Sequence, residues 1–226
     1  MEGTPPADVK AAPSVGVAKE KIRTPMRLYQ MQDSGNCYKI RLLAHQLGQE
    51  LELVDIDILT GQSRTPDFLK KNHNGRVPLL ELDKGRVLPE SGAALFYLAH
   101  NTPFLPEDRF ARAQVLQWMF FEQYSHEPYI AVARFWQAIN PGGPGDKQDR
   151  FPEWHERGYQ ALDVMERHLG DTPFFVAATY SIADIALYAY THVAHDGGFN
   201  LAAYANIQAW IARVEQTPGY IPMAAR

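Results

Sequence analysis

The stretch MRLYQMQDSGNCYKIRLLAHQLGQELELVDIDI, residues 26–58, decides the fold. Met26 to Met31 reads as a short strand and Asp33-Ser34-Gly35-Asn36 as a polar turn. Cys37, Ile40, Leu43, Ala44 and Leu47 then recur at the spacing of one helix face. Gly48 follows them, and a helix end favours glycine because its last residue is often left-handed. From Leu51 to Ile58, Val54, Ile56 and Ile58 alternate with Asp55 and Asp57, the period of a half-buried strand. Strand, helix and strand in that order predict a parallel pair joined by a crossover helix.

Working outward, Thr65-Pro66 supplies an N-cap and a first-turn proline for a short helix through Phe68 and Leu69. Val77 to Leu82 and Arg86 to Leu88 flank Asp83-Lys84-Gly85, a hairpin signal. A helix carrying Ala94, Leu95 and Leu98 follows Glu90-Ser91. Residues 26–100 therefore read βαβ-α-ββα, with mixed strand directions that a dinucleotide-binding domain would not have. Residues 101–106 form a linker with two prolines, and residues 107–226 read as helical throughout. Arg109 to Ala138 is one long helical run, and Phe151 to Leu169 is another, closed by Gly170. Ser181-Ile182-Ala183-Asp184 has the form of a capping box, with Tyr180 and Ile185 placed as a hydrophobic staple. A last helix runs from Tyr204 to Gln216 and stops at Pro218. The fold class is thus an α/β domain followed by an all-α domain.

Residues 1–25 hold four of the sixteen prolines and no aromatic residue, and read as a flexible tail. Their longest apolar run, Val15 to Ala18, is too short for a secretory signal. The chain has 226 residues, 46% apolar and 21% charged, enough for two ordinary globular domains. A net charge of -4 gives no reason to expect nucleic acid or an anionic membrane as partner. The single cysteine, Cys37, forbids an intramolecular disulfide and fits a reducing, cytoplasmic setting. Cys37 itself lies on the apolar stripe with Ile40 and Ala44 and reads as a small core residue. The histidines show no metal-ligand spacing, and no apolar stretch approaches the roughly 20 residues of a membrane span.

Four segments in order carry a resemblance: Ser34-Gly35-Asn36-Cys37 at the first helix, Arg76-Val77-Pro78 before the hairpin, Glu90-Ser91 at the next helix, and Ser181 to Asp184. On this frame the chain resembles the soluble glutathione transferases over residues 26–220. The resemblance implies a thioredoxin-like, glutathione-binding domain at 26–100 and a helical domain beyond the linker. It further implies a homodimer contacting through the first helix of the helical domain, and a role in detoxification. Glutathione would be the cosubstrate, with no metal, flavin or nucleotide.

Each segment has chemistry of its own. A thiol must ionise to react, and a helix N-terminus beginning after Ser34 favours an anion there. A Ser34 hydroxyl donating to the sulfur would favour the thiolate; without the resemblance, Ser34 is an ordinary N-cap. Asn36 and Lys39 depart from the family's serine pattern and look like the Thr-x-Asn-x-x-Lys of the bacterial Nu-type group. There the hydroxyl residue and the asparagine both lie near the sulfur, so Ser34 and Asn36 are the candidate catalytic residues. The resemblance implies a cis Val77-Pro78 bond, with the Val77 main chain pairing with the cysteinyl backbone of glutathione. It places the γ-glutamyl carboxylate on Ser91 and its ammonium on Glu90, while Arg76, Arg64 and Gln62 are candidates for the glycyl end. Tyr124 and Arg134 are the candidates for the second-substrate pocket, on an aromatic-rich helix facing the other domain.

Three functions are open on these residues. The first is a transferase that sends the glutathione thiolate onto a hydrophobic electrophile. The second is a glutathione-dependent disulfide-bond oxidoreductase, favoured by Asn36 and Lys39. The third is a transferase-like scaffold that binds a protein partner without catalysis.

Overall fold

The computed structural model describes residues 26–226, so the expected tail at 1–25 lies outside the described residues. Strand β1 (Met26–Gln30) pairs in parallel with β2 (Leu51–Asp55), and helix α1 (Gly35–Gln46) crosses between them. Helix α2 (Pro66–Lys71) precedes a hairpin of β3 (Leu79–Glu81) and β4 (Val87–Pro89), and α3 (Ser91–Leu98) follows it. The sheet order is β2-β1-β3-β4, with β1 and β3 antiparallel. This is the expected thioredoxin-like arrangement.

Strand β2 ends three residues before the sequence pattern does. Asp57 turns the chain instead, its carboxylate accepting from the N–H groups of Leu59 and Thr60. As an edge strand, β2 has no second neighbour to hold it straight.

The two sheet faces explain the alternation along β1. Met26 and Leu28 join the large core with α1 and α3, while Tyr29 packs on the opposite face with Phe68 of α2 and Leu79. That large core is continuous with the helical domain. There, α4 (Arg109–Phe121) and α5 (Glu127–Arg134) form one run interrupted by a π-helical turn at Glu122–His126 and ended by a second at Phe135–Ile139. Helix α6 (Phe151–Asp171) passes through Gly170 and ends before Pro173. The glycine does not stop it because the backbone remains helical until Thr172 turns extended.

Every residue of α7 (Ile182–Thr191) is buried, as expected of a helix apolar all round. It starts with the anticipated capping box, Ser181 Oγ accepting from Ala183 N and Asp184 accepting from Ser181 N at 2.9 Å. Asp184 also accepts from Trp210 Nε1 at 3.0 Å, tying α7 to α8 (Ala205–Glu215).

Past α8 the chain returns to the sheet domain and lies along α1. Tyr38 donates to Ile221 O at 2.6 Å, and Arg41 donates to Met223 O at 2.8 Å. Arg226 pairs with Asp55 at the end of β2. Arg41 is buried, and its guanidinium binds neutral oxygens of Gln30, Gln32 and Met223.

Candidate active site

The site is built around the first turn of α1. Ser34 is its N-cap, with extended backbone and its Oγ accepting from Cys37 N at 3.3 Å. The hydroxyl retains one proton to donate. Gly35 is required by a close approach: a Cβ there would lie 2.5 Å from the Tyr190 ring of α7. The Tyr190 hydroxyl in turn accepts from Asn36 N at 3.1 Å, so one aromatic residue of the helical domain sets the position of this turn.

Asn36 is held on every side. Its Oδ1 accepts from Lys39 Nζ at 2.7 Å and from Ser91 Oγ at 3.1 Å, and its Nδ2 donates to Glu127 Oε1 at 3.3 Å. Because an ammonium can only donate, the lysine fixes which way the amide faces. Lys39 also pairs with Glu122 at 2.9 Å, each side chain 1% exposed, and Glu122 accepts from Gln123 at 2.7 Å. The buried pair links α1 to the π-helical turn across the domain boundary. A buried pair compensates two desolvated charges, so neither member tolerates loss of the other.

The remaining wall comes from the turn into β3 and the start of α3. The Val77-Pro78 bond is cis, as expected. Glu90 has φ of 72°, a left-handed conformation that strains a side-chain-bearing residue and recurs at ligand sites. The next residue, Ser91, is the first of α3, so its N–H is among those a helix leaves without an internal partner. Asn36, Asn72, Arg76, Val77, Pro78, Glu90, Ser91, Gln123 and Glu127 border a single cleft between the two domains. Its main-chain donors, helix N-terminus and hydroxyl suit the carboxylate and amide groups of a small peptide.

Six residues singled out from sequence thus meet in one place: Asn36, Arg76, Val77, Pro78, Glu90 and Ser91. Ser34 stands two residues from the cleft wall, as the cap of the same helix turn. Arg64 donates to Asn74 O at 3.0 Å, and Gln62 accepts from Asp57 N at 2.9 Å, so both shape the loop around the site.

Arg134 and Tyr124 do not border the cleft. Arg134 is buried; it donates to Asp196 at 3.0 Å and to Asp33 O at 2.7 Å. Its guanidinium is used up in fixing the loop before Ser34. Tyr124 is 83% exposed on the outer side of the helical run, near the exposed Phe120.

Asn72, Gln123 and Glu127 are the residues that sequence reasoning missed. Asn72 donates to Arg76 O at 2.8 Å and accepts from Asn74 N, and an asparagine three residues before a glycine was its only signal. Glu127 carried a clearer one, an acid followed by proline inside an otherwise aromatic helix.

Cys37 is fully buried, and its sulfur accepts from Met31 N at 3.4 Å. Burial pushes its thiol up from the ordinary range, which keeps it protonated and suits a packing residue.

A thioredoxin-like sheet domain, a cis-proline turn and a helical domain together define a two-domain protein with a polar cleft between its domains. The comparisons with known proteins agree. Residues 24–100 match the family model described as Glutathione S-transferase, N-terminal domain, and residues 148–213 match Glutathione S-transferase, C-terminal domain. A glutathione S-transferase structure from Pseudomonas fluorescens Pf-5 is 52% identical, with a TM-score of 0.87, covering 89% of this chain and 100% of that one. A possible glutathione S-transferase from Rhodopseudomonas palustris is 50% identical, with a TM-score of 0.88, covering 90% and 91%. The Disulfide-bond oxidoreductase YfcG of Escherichia coli K12 is 28% identical over 190 residues, covering 81% of this chain and 87% of that protein. The chain belongs to the glutathione S-transferase family.

Proposed function

We propose that the protein is a glutathione transferase, holding glutathione in the interdomain cleft and presenting its thiolate to a hydrophobic electrophile. The observation that carries this reading is the gathering of Asn36, Val77, Pro78, Glu90 and Ser91 around one cleft from three separate elements. In it, Val77 pairs with the cysteinyl backbone, and Ser91 with its free N–H groups takes the γ-glutamyl carboxylate while Glu90 faces the ammonium. Arg76 serves the glycyl end. The sulfur lies toward the first turn of α1, where Ser34 donates its hydroxyl proton and Asn36 borders the same space. A donor to sulfur and the positive end of α1 both favour the thiolate.

The test is calorimetric titration of glutathione into wild type and the Glu90→Ala/Ser91→Ala double variant. Submillimolar binding that disappears in the variant supports the assignment. A folded wild type that takes up no glutathione rejects it and leaves the scaffold reading.

A second reading, disulfide reduction, is favoured by the Asn36–Lys39 contact and by the relationship to YfcG. In that reaction the glutathione thiolate attacks one sulfur of a disulfide, the other sulfur leaves as thiolate, and a second glutathione resolves the mixed disulfide. Cys37 takes no part, being buried. Turnover of a model disulfide beside an aryl halide separates the two activities.

The partners we infer are glutathione, an electrophile or disulfide, and a second copy of the chain. Phe110, Phe120 and Tyr124 are 72%, 68% and 83% exposed along one helical run, an apolar face suited to a homodimer. Sedimentation would show it. We place the domain boundary at residues 101–106 and the protein in the cytoplasm. Among the described residues no helix is long and apolar enough to cross a membrane.

A further inference from the structure

We propose that Met223, in the segment that follows α8, is a positioning residue for Ser34: it closes a clamp in which one arginine from each domain holds the loop leading into the first turn of α1. The inference rests on the reading that Ser34 donates to the glutathione sulfur, and adds to it the means by which that hydroxyl is held.

Residues 31–33 connect β1 to Ser34, and each of their carbonyls is engaged. Met31 O accepts from Ser34 N at 3.1 Å, which closes the turn itself. Gln32 O accepts from Arg41 of α1 at 3.0 Å, and Asp33 O accepts from Arg134 of α5 at 2.7 Å. Both guanidiniums reach on to Met223. Arg41 donates to its carbonyl at 2.8 Å, and Arg134 donates to its sulfur at 3.8 Å. The Gln32 side chain donates to the same carbonyl at 2.9 Å and to Ala225 O at 3.2 Å. Arg41, Arg134 and Met223 are all buried, and Met223 belongs to the large core.

A buried guanidinium needs acceptors for its fixed fork of donors, and Arg41 meets only neutral oxygens. The Met223 carbonyl is one of these, so the segment that carries it fixes Arg41 and, through Arg41, the Gln32 carbonyl. On its far side Ser34 is held by α1, its carbonyl accepting from Tyr38 N at 2.9 Å. The clamp holds the near side. A hydroxyl donates to a sulfur only over a narrow range of distance and direction. A looser loop should therefore lower the thiolate fraction more than it lowers the affinity for the peptide, which Val77, Glu90 and Ser91 set.

The test follows the ionisation of bound glutathione by its ultraviolet thiolate absorbance as pH is raised. The proteins compared are wild type, Gln32→Ala, Met223→Ala, their double variant and Trp210→Phe. Trp210→Phe breaks the Asp184 contact between α7 and α8 without touching the loop, and controls for general destabilisation. The double variant should raise the pH at which the bound thiol ionises by about one unit, lowering turnover about tenfold below that pH. The deficit should close in alkaline solution, and glutathione affinity should stay within about threefold of wild type. Each single variant should show part of the shift, so the two decide the matter if the double variant does not fold. Trp210→Phe should lower the melting temperature with no shift. In a Ser34→Ala background the double variant should add no further shift, because the clamp acts through that hydroxyl. Folded variants whose bound thiol ionises at the wild-type pH, a rate loss equal at every pH, or a full extra shift in the Ser34→Ala background overturns the inference and leaves glutathione binding standing. Ser34→Ala with no shift of its own removes the sulfur assignment, and the inference with it.

Discussion

Ser34 does two jobs with one oxygen. It accepts from Cys37 N as a helix cap, and in the proposed chemistry it donates to a sulfur. Ser34→Ala should therefore cost about 1 kcal/mol of stability from the cap alone. It should also lower turnover while changing glutathione affinity less; Ser34→Thr should restore both. Urea unfolding and steady-state kinetics on the two variants check this, and an unchanged rate in Ser34→Ala would transfer the sulfur contact to Asn36. Gly35→Ala tests the neighbouring constraint. With Tyr190 only 2.5 Å from the new methyl, the turn must shift, costing about 1–3 kcal/mol and displacing Asn36 from its tyrosine partner. A Gly35→Ala protein as stable as wild type would show that Tyr190 swings aside freely. At this scale the sequence was legible where a motif names a residue, as at Pro78 and Ser91. It was silent where a residue acts through a distant partner: Arg134 looked like a pocket residue because nothing local announces Asp33 or Asp196.

Among the elements, the interdomain contact of α1 with the π-helical turn at Glu122–His126 depends on the buried Lys39–Glu122 pair. Lys39→Met and Glu122→Leu should each cost about 3–5 kcal/mol, because each strands the opposite charge. The double variant should lose much less than their sum, yet still bind glutathione poorly because Asn36 loses the donor that orients it. Denaturant unfolding of the three variants decides this, with simple additivity arguing against coupling. The long elements were readable from periodicity: α1, α6 and the helical run from Arg109 all fall where apolar spacing placed them. The two π-helical turns were not. They add a residue to a turn without changing composition, and only the tertiary contacts that they enable reveal them. Strand β2 was overestimated for a related reason, since alternation continues past the point where Asp57 turns the chain.

The whole molecule should lose stability on mild acidification. Burial lowers His126 from 6.5 to about 3 and His192 from 6.5 to about 4. Both stay neutral in the fold but take up a proton when unfolded below about 6.5, so the unfolded state gains as pH falls toward the folded values. Each contributes up to about 1.4 kcal/mol per pH unit within its window. Asp184, raised from 3.8 to about 6, opposes them between those values, since there the folded state holds the extra proton. The cleaner measurement is differential: His126→Gln should flatten the slope of unfolding free energy between pH 6 and 4. An unaltered slope would mean that His126 is protonated within the fold. The two-domain plan and the strand order were readable from the order of elements. The large core running through both domains was not, because sequence shows which faces are apolar and leaves open what covers them.

The segment that returns to α1 has a consequence for how the protein is made. The Met223 carbonyl that receives Arg41 is synthesised 182 residues after it. A nascent chain carrying only the sheet domain has a buried-to-be guanidinium without that oxygen, and Tyr38 without Ile221. The half translated first thus lacks, until the end of synthesis, two main-chain oxygens that its buried α1 side chains bind. Cut at the linker, the N-terminal piece should need the C-terminal piece added back before it resists a protease.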